Sequence, residues 1–162
     1  MREVRLSAVQ VDLQSNSPVI LLQEKDGERA LPIFIGAPEA TAIAFALQKV
    51  AVPRPMTHDL MRDLIEALGA KVLRVVVTEV RQDTYFAEVH LELAGQQFQV
   101  SARPSDAVAL ATRTRSPLFV EDELLDLAGV VLETEEEEAE SEELVSQFRE
   151  FLDDVRPEDF SS

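Results

Sequence analysis

The chain contains no cysteine, and no apolar run in it approaches the roughly 18 residues that a membrane-spanning helix needs. The lack of cysteine excludes a disulfide framework and thiolate chemistry. The N-terminal residues 1–6 alternate charged and apolar side chains, which is unlike a signal peptide. We therefore expect a cytoplasmic protein that does not contact membranes.

Basic runs and several familiar catalytic motifs are missing as well. The net charge is −16, and residues 1–132 hold 13 Lys and Arg against 18 Asp and Glu, a balance of −5. Residues 133–162 hold 2 Lys and Arg against 13 Asp and Glu, a balance of −11. Phosphate backbones bind surfaces rich in Lys and Arg, so this distribution argues against tight, non-specific binding of nucleic acid. The motifs HxxxH and GxGxxG, the P-loop and the nucleophile elbow are absent from the sequence.

The residues that are present suffice for one domain with an appendage. Hydrophobic residues make up 46% of the 162 residues, so most of the chain can bury a core. We predict a domain over residues 1–132, followed by an acidic linker over residues 133–143. Apolar residues with helical spacing predict a C-terminal helical tail over residues 144–162.

The apolar pattern predicts two successive sets of three strands, each followed by a helix. These six predicted strands cover residues 3–13, 19–22, 31–35, 71–80, 85–93 and 98–101, and a further short strand is predicted over residues 118–120. A helix between residues 57 and 68 would turn five apolar residues inward: Leu60, Met61, Leu64, Ile65 and Leu68. Hairpins followed by helices favour a single α+β domain of mixed or antiparallel strands with packed helices.

The two halves echo each other where their helices begin. In the first half a third strand leads to Pro38 and Glu39, and in the second half a third strand leads to Pro104 and Asp106. We therefore hypothesise a β-β-β-α pseudo-repeat. Arg103, just before the second of these helices, stands where a helix N-terminus favours an anion. A well-capped helix with an ordinary Arg–Asp pair explains the same residues.

Several segments resemble a known family when they are taken together. They are LPIFIG at residues 31–36 leading to Glu39 and Ala40, RPMTHDL at residues 54–60, RPSDAVALA at residues 103–111, and FREFL and RPEDF at residues 148–152 and 156–160. In this order they are similar to the bifunctional nuclease domain family of bacteria and plants, and the resemblance covers nearly the whole chain. It implies an α+β fold and combined DNase and RNase activity.

Cleavage of a phosphodiester needs an activated water and stabilisation of charge on the phosphate, often with a metal held by carboxylates. Glu39, Asp59 and Asp106 stand at predicted helix starts and can supply the oxygen ligands that Mg²⁺ or Mn²⁺ prefers. Histidine changes its charge near neutral pH, which makes His58 a candidate general acid or base. We predict Glu39, His58, Asp59 and Asp106 as catalytic residues, and Arg54, Arg62 and Arg103 as ligands of the substrate phosphates.

Plainer explanations stand beside each of these roles. A carboxylate in the first turn of a helix already interacts favourably with the helix dipole. His58 beside a helix cap suits a surface position, and Arg54 between two prolines suits a turn. We also expect His90 on the solvent-facing side of its strand. A non-enzymatic regulatory module that binds a protein or an anion is therefore the alternative function.

Two spatial expectations follow from these alternatives. In a nuclease, five residues would converge in one cleft: Glu39, His58, Asp59, Arg103 and Asp106. The alanine-rich helix predicted over residues 37–47 permits close approach of another helix, so we also predict a homo-oligomer. The nuclease function implies nucleic acid as the binding partner.

Overall fold

The strands and helices of the computed structural model follow the predicted order. The structure describes residues 1–132 and Ser146, so the predicted linker and tail lie outside the described residues apart from Ser146. The strands are β1 Arg2–Asp12, β2 Ser17–Glu24, β3 Arg29–Phe34, β4 Lys71–Arg81, β5 Thr84–Leu93, β6 Gln96–Ala102, β7 Leu118–Val120 and β8 Val130–Val131. The helices are α1 Ala37–Leu47, α2 Thr57–Ala67, α3 Pro104–Thr114 and α4 Asp122–Ala128.

One sheet holds the described strands, in the order β6-β5-β4-β7-β1-β2-β3-β8. Strands β1 to β3 form one antiparallel meander, and β4 to β6 form another. The short strand β7 joins them, antiparallel to β1 and parallel to β4. The α+β class is therefore confirmed, and each meander leads into a helix as the pseudo-repeat hypothesis requires.

The two helices that follow the meanders start side by side, although the strands before them run in opposite directions. Strands β3 and β6 run in opposite directions and lie six strand positions apart. Neighbouring strands rotate by about 20–25°, which accumulates to about 120–150° over this distance. A rotation of this size brings the directions of β3 and β6 closer together, and the hydrogen bond from Arg103 to Glu39 shows that the starts of α3 and α1 meet.

Helix α3 forms the centre of the hydrophobic core. Most of its residues are buried: Pro104, Ser105, Ala107, Val108, Ala109, Leu110 and Ala111. It packs on β4 and β5, and both α1 and α2 pack on it. Small side chains permit these close contacts between helices, as with the buried Ala40 and Ala42 of α1. The core of residues 1–130 is thus continuous from the sheet through α3 to the two flanking helices.

The predicted inward face of α2 is wrong in part. Met61 and Ile65 pack against the core, whereas Leu60, Leu64 and Leu68 are exposed. Adjacent helical residues point about 100° apart, so the two rows cannot both face α3. The inward row also includes His58, which the apolar pattern alone did not show.

The predicted exposure of His90 is also wrong. This residue is buried on β5, where Arg74 and Gln99 are its cross-strand neighbours. Its ring bonds Glu88 Oε2 at 3.0 Å. Long side chains on the neighbouring strands thus cover the imidazole on this face.

Among the helices of the described residues, none combines the length and the apolar character needed to cross a membrane.

The central position of α3 predicts a large cost for a cavity there. Substituting Leu110→Ala should lower the free energy of unfolding by about 2–5 kcal/mol, because the fully buried side chain cannot be replaced by solvent. Leu127→Ala, at an exposed position on α4, is the matched control and should change it by less than about 0.5 kcal/mol. Urea denaturation measures both, and equal effects would contradict the placement of α3.

Candidate active site at the helix starts

The starts of α1 and α3 have the same local design. Gly36 and Arg103 precede the helices in extended conformation, and neither helix start has a side-chain cap. A proline lies in each first turn, where its fixed φ suits the helix and its missing N–H costs no hydrogen bond. Glu39 and Asp106 follow in the same turns and complement the positive ends of the helix dipoles.

Arg103 links the two helix starts. Its Nε donates to Asp106 Oδ2 at 2.9 Å, and its Nη2 donates to Glu39 Oε1 at 3.0 Å. The two carboxylates raise the pKa of the guanidinium, Asp106 more than Glu39. The Arg103 side chain is nevertheless 66% exposed. Its Nη1 has no acceptor among the described residues, so this cation can still meet a ligand from solvent.

His58 completes the network from the first turn of α2. Its Nε2 lies 2.8 Å from Asp106 Oδ1, and its side chain is only 7% exposed. Burial opposes the ionisation of Asp106, but the hydrogen bonds from His58 and Arg103 outweigh it and lower the pKa of this carboxyl. The ionised carboxylate makes Nε2 the donor, which leaves Nδ1 as the proton acceptor of the neutral ring.

Gly36 leaves room for the Glu39 side chain. A Cβ at position 36 would collide with Oε2 of Glu39, because the carboxylate folds back over the N-terminus of α1. The backbone of Gly36, with φ of −74°, is one that any residue can adopt. The space, and not the conformation, is therefore what the glycine supplies.

Asp59 belongs to a different, deeper ion pair. Its Oδ1 accepts from Arg113 Nε at 2.7 Å, and its Oδ2 accepts from the backbone N–H of Met56 at 3.0 Å. Arg113 also donates to the backbone oxygens of Ala109 and Ala42. The Arg113 side chain is only 5% exposed, so this pair fixes α1, α2 and α3 relative to each other. Burial disfavours the charged form of Asp59, yet Arg113 and the Met56 N–H lower its pKa overall.

Arg113 was not among the residues predicted from the sequence. The available signal was a lone arginine in the last turn of an otherwise apolar helix. Its ordinary explanation is a favourable interaction with the negative end of the helix dipole. The carbonyls of Ala109 and Ala42 show that it does contact helix backbone. The additional carboxylate partner, 54 positions earlier in the chain, has no sequence signal.

Two of the predicted phosphate ligands lie apart from this network. Arg62 bonds its neighbour Asp63 and lines a cleft of about 290 Å³ together with Lys49, Arg113 and Arg115. Arg54 is exposed in the bend before α2. The structure therefore brings together Glu39, His58, Arg103 and Asp106, while Asp59 turns toward Arg113.

The three predicted metal ligands do not form a metal-binding group as they are arranged. Glu39 and Asp106 share Arg103, and both oxygens of Asp59 are bonded elsewhere. No set of three His, Asp or Glu side chains in the described part of the chain is placed to hold a metal. The Mg²⁺ or Mn²⁺ ion predicted from the sequence stays a prediction.

The buried Asp59–Arg113 pair predicts a pH-dependent stability. Asp59→Asn should lower the free energy of unfolding at pH 7 by about 3 kcal/mol, because Arg113 would keep its charge without a carboxylate partner. Asp63→Asn, on the same helix but in a more exposed pair, should cost less than about 1 kcal/mol. Urea denaturation measures both changes.

The difference in free energy of unfolding between the wild type and Asp59→Asn should become smaller in acid. The pKa of Asp59 is lower in the folded than in the unfolded chain. Its contribution to the stability of the fold is therefore present at neutral pH and is lost as the pH falls through the pKa of the folded chain. A difference that stays constant from pH 6 to pH 3 would contradict this assignment.

Comparisons with known proteins place this chain in a family. The profile of the bifunctional nuclease domain matches residues 20–133. An uncharacterized protein of Mycobacterium tuberculosis is 44% identical over 166 residues, covering 100% of this chain and 99% of its own. Bifunctional nuclease 1 of Oryza sativa subsp. japonica is 27% identical over 67% of this chain and 34% of its own. Bifunctional nuclease 2 of Arabidopsis thaliana is 29% identical over 65% of this chain and 33% of its own. The chain belongs to the bifunctional nuclease domain family.

Proposed function

We propose that the protein is a nuclease that hydrolyses phosphodiester bonds of DNA and RNA at the network of Glu39, His58, Arg103 and Asp106. The observation that carries the proposal is the hydrogen bond of 2.8 Å between His58 and the ionised Asp106, beside an exposed arginine. This arrangement provides a general base, a group that orients it and a cation for the phosphate. The names of the plant relatives support the same activity.

His58 acts on the water in this proposal. DNA has no 2′-hydroxyl, so water is the nucleophile that both substrates share. The water oxygen attacks phosphorus, Nδ1 of His58 takes its proton, and the bond to the leaving oxygen breaks. The leaving oxygen then receives a proton from the imidazolium or from solvent. Asp106 holds the ring through Nε2 and stabilises the imidazolium.

Arg103 binds the phosphate and Glu39 prepares it to do so. A guanidinium matches two phosphate oxygens and keeps its charge at all working pH values. In the free protein, Glu39 and Asp106 hold this guanidinium between them. The phosphate contacts the free Nη1 and takes the place of Glu39 on Nη2, so Glu39 is a positioning residue in the first step.

The remaining predicted residues extend this proposal without adding a step. Arg62 lines the cleft that also includes Lys49 and Arg115, and Arg54 is exposed in the bend before α2. Both would contact phosphates farther along the strand. A Mg²⁺ or Mn²⁺ ion would require Arg103 to leave the carboxylates. Comparing hydrolysis in EDTA with hydrolysis in added metal separates the two routes.

A non-enzymatic anion-binding module is the second candidate, and one observation favours it. The carboxylates of the network are already paired with cations, as in a purely structural site. The described domain also has a negative balance of charge. In that function Arg103 binds an anion and no bond is broken. Absence of turnover from protein that still binds nucleotide would support this candidate.

The two histidines of the chain provide a matched test of catalysis. His58→Gln should lower kcat for a labelled oligonucleotide by about 100-fold or more, because the general base is lost. His90→Gln removes an imidazole that is also buried and also bonded to a carboxylate, but outside the network, and should leave kcat within about twofold. Equal rates for wild type and His58→Gln would identify a contaminating nuclease and overturn the proposal.

The homo-oligomer and the cytoplasmic location also remain proposals. The exposed leucines of α2 support self-association, since Leu60, Leu64 and Leu68 form one apolar row on its surface. We expect light scattering at micromolar concentration to show a mass above that of one chain, and Leu64→Glu to reduce it. A monomer in both proteins would contradict self-association.

A further inference from the structure

A cleft of about 350 Å³ adjoins the catalytic network at Arg103, and the proposed chemistry does not use its other lining residues. Its walls come from the end of β3, the hairpin between β4 and β5, and the start of α3. Phe34 and Arg103 line it from different elements, and Tyr85 lines it from the hairpin. The cleft therefore opens directly onto the exposed guanidinium that the network holds.

Phe34 is the unusual residue in this wall. It closes β3 after the buried Leu31 and Ile33, but its own side chain is turned away from the core and is 61% exposed. Tyr85, by contrast, packs against the hydrophobic core. An exposed aromatic side chain is unremarkable alone. Here it shares a cleft with an exposed arginine, and these two groups recognise a nucleobase and its phosphate.

The charge of the domain and the charge of Asp83 in the cleft favour binding of a single strand over binding of a duplex. Duplex binding depends on many Lys and Arg contacts to phosphate, and residues 1–132 carry a balance of −5. Asp83 also lines this cleft and would repel a second phosphate. A nucleobase carries no such charge, and its face is accessible for stacking only when the base is unpaired.

We propose that this cleft binds an unpaired nucleotide of a single-stranded nucleic acid, with the base stacked on Phe34 and the adjoining phosphate on Arg103. The inference rests on the proposed nuclease function, because it names the form of the substrate. The phosphate would lie on the guanidinium that bonds Asp106 of the network, and a duplex would have to open before its base could stack on Phe34. Both DNA and RNA satisfy this requirement, since the contact involves no sugar hydroxyl.

Binding of a defined oligonucleotide tests the proposal. The probe is a fluorescein-labelled dT12 strand, alone or annealed to dA12, measured by fluorescence anisotropy in EDTA at one fixed low salt concentration. We expect the single strand to bind at least about tenfold more tightly than the duplex. Phe34→Ala should weaken single-strand binding by about fivefold or more, and Phe34→Tyr should restore it, because stacking needs only a ring.

Phe98→Ala is the matched control, since Phe98 is 45% exposed on β6 and does not line the cleft. It should bind the single strand as the wild type does. The exposed position of Phe34 means that its variants keep their fold, which thermal unfolding followed by circular dichroism verifies. Equal single-strand binding by Phe34→Ala and Phe98→Ala, or equal binding of strand and duplex by the wild type, would overturn the inference.

This binding experiment and the cleavage assay of the labelled oligonucleotide together separate this inference from the proposed activity. A wild-type protein that binds the single strand through Phe34 but never cleaves it would retain the nucleotide site and overturn the nuclease. A protein that cleaves with its rate and affinity unchanged by Phe34→Ala would retain the nuclease and overturn the nucleotide site. Failure of the wild type to bind either form of the probe would also overturn the nucleotide site.

Discussion

The shared guanidinium of Arg103 is the interaction on which the candidate site depends. Two helices begin at one place, and each has a carboxylate in its first turn. Each carboxylate suits its own helix dipole, but two such charges brought together repel one another. Arg103 resolves this conflict by bonding Glu39 and Asp106 at once. The second oxygen of Asp106 is then directed at His58, so one cation sets the geometry of the network.

A second arginine, Arg113, also joins helices through an ion pair at the other end of α3, but this pair is buried. Arg113 bonds Asp59 of α2 and a carbonyl of α1, and its side chain is almost completely buried. Helix α3 is therefore apolar in its middle and bound by charged groups at both ends. The two arginines differ in exposure, and this difference separates their roles. A buried ion pair can fix three helices, whereas the exposed guanidinium of Arg103 can also meet a ligand from solvent.

Sequence patterns predicted the fold well because they report local constraints. Alternation, turn residues and prolines at helix starts indicated the two meanders and the helices α1 and α3. The rotation of α2 about its own axis was not predicted, since apolar residues occupy both of its rows. That rotation buries Met61 and exposes Leu60. It also turns Asp59 toward Arg113 while His58 meets Asp106, so two adjacent residues enter separate networks.

The predicted meeting of Glu39, His58, Arg103 and Asp106 rested on two helix starts lying side by side, which no local pattern specifies. The structure shows it in the hydrogen bond from Arg103 to Glu39, which lie 64 positions apart in the chain. Because β3 and β6 point in opposite directions, an untwisted sheet would send α1 and α3 to opposite ends, and Arg103 could not reach Glu39. Twist between neighbouring strands reduces this opposition, and the meeting of the two helix starts is a property of the whole folded sheet. The same geometry places Phe34, the last residue of β3, in the cleft lined by Arg103. The candidate catalytic network and the cleft beside it therefore both depend on the end of β3 and the start of α1 lying next to the start of α3.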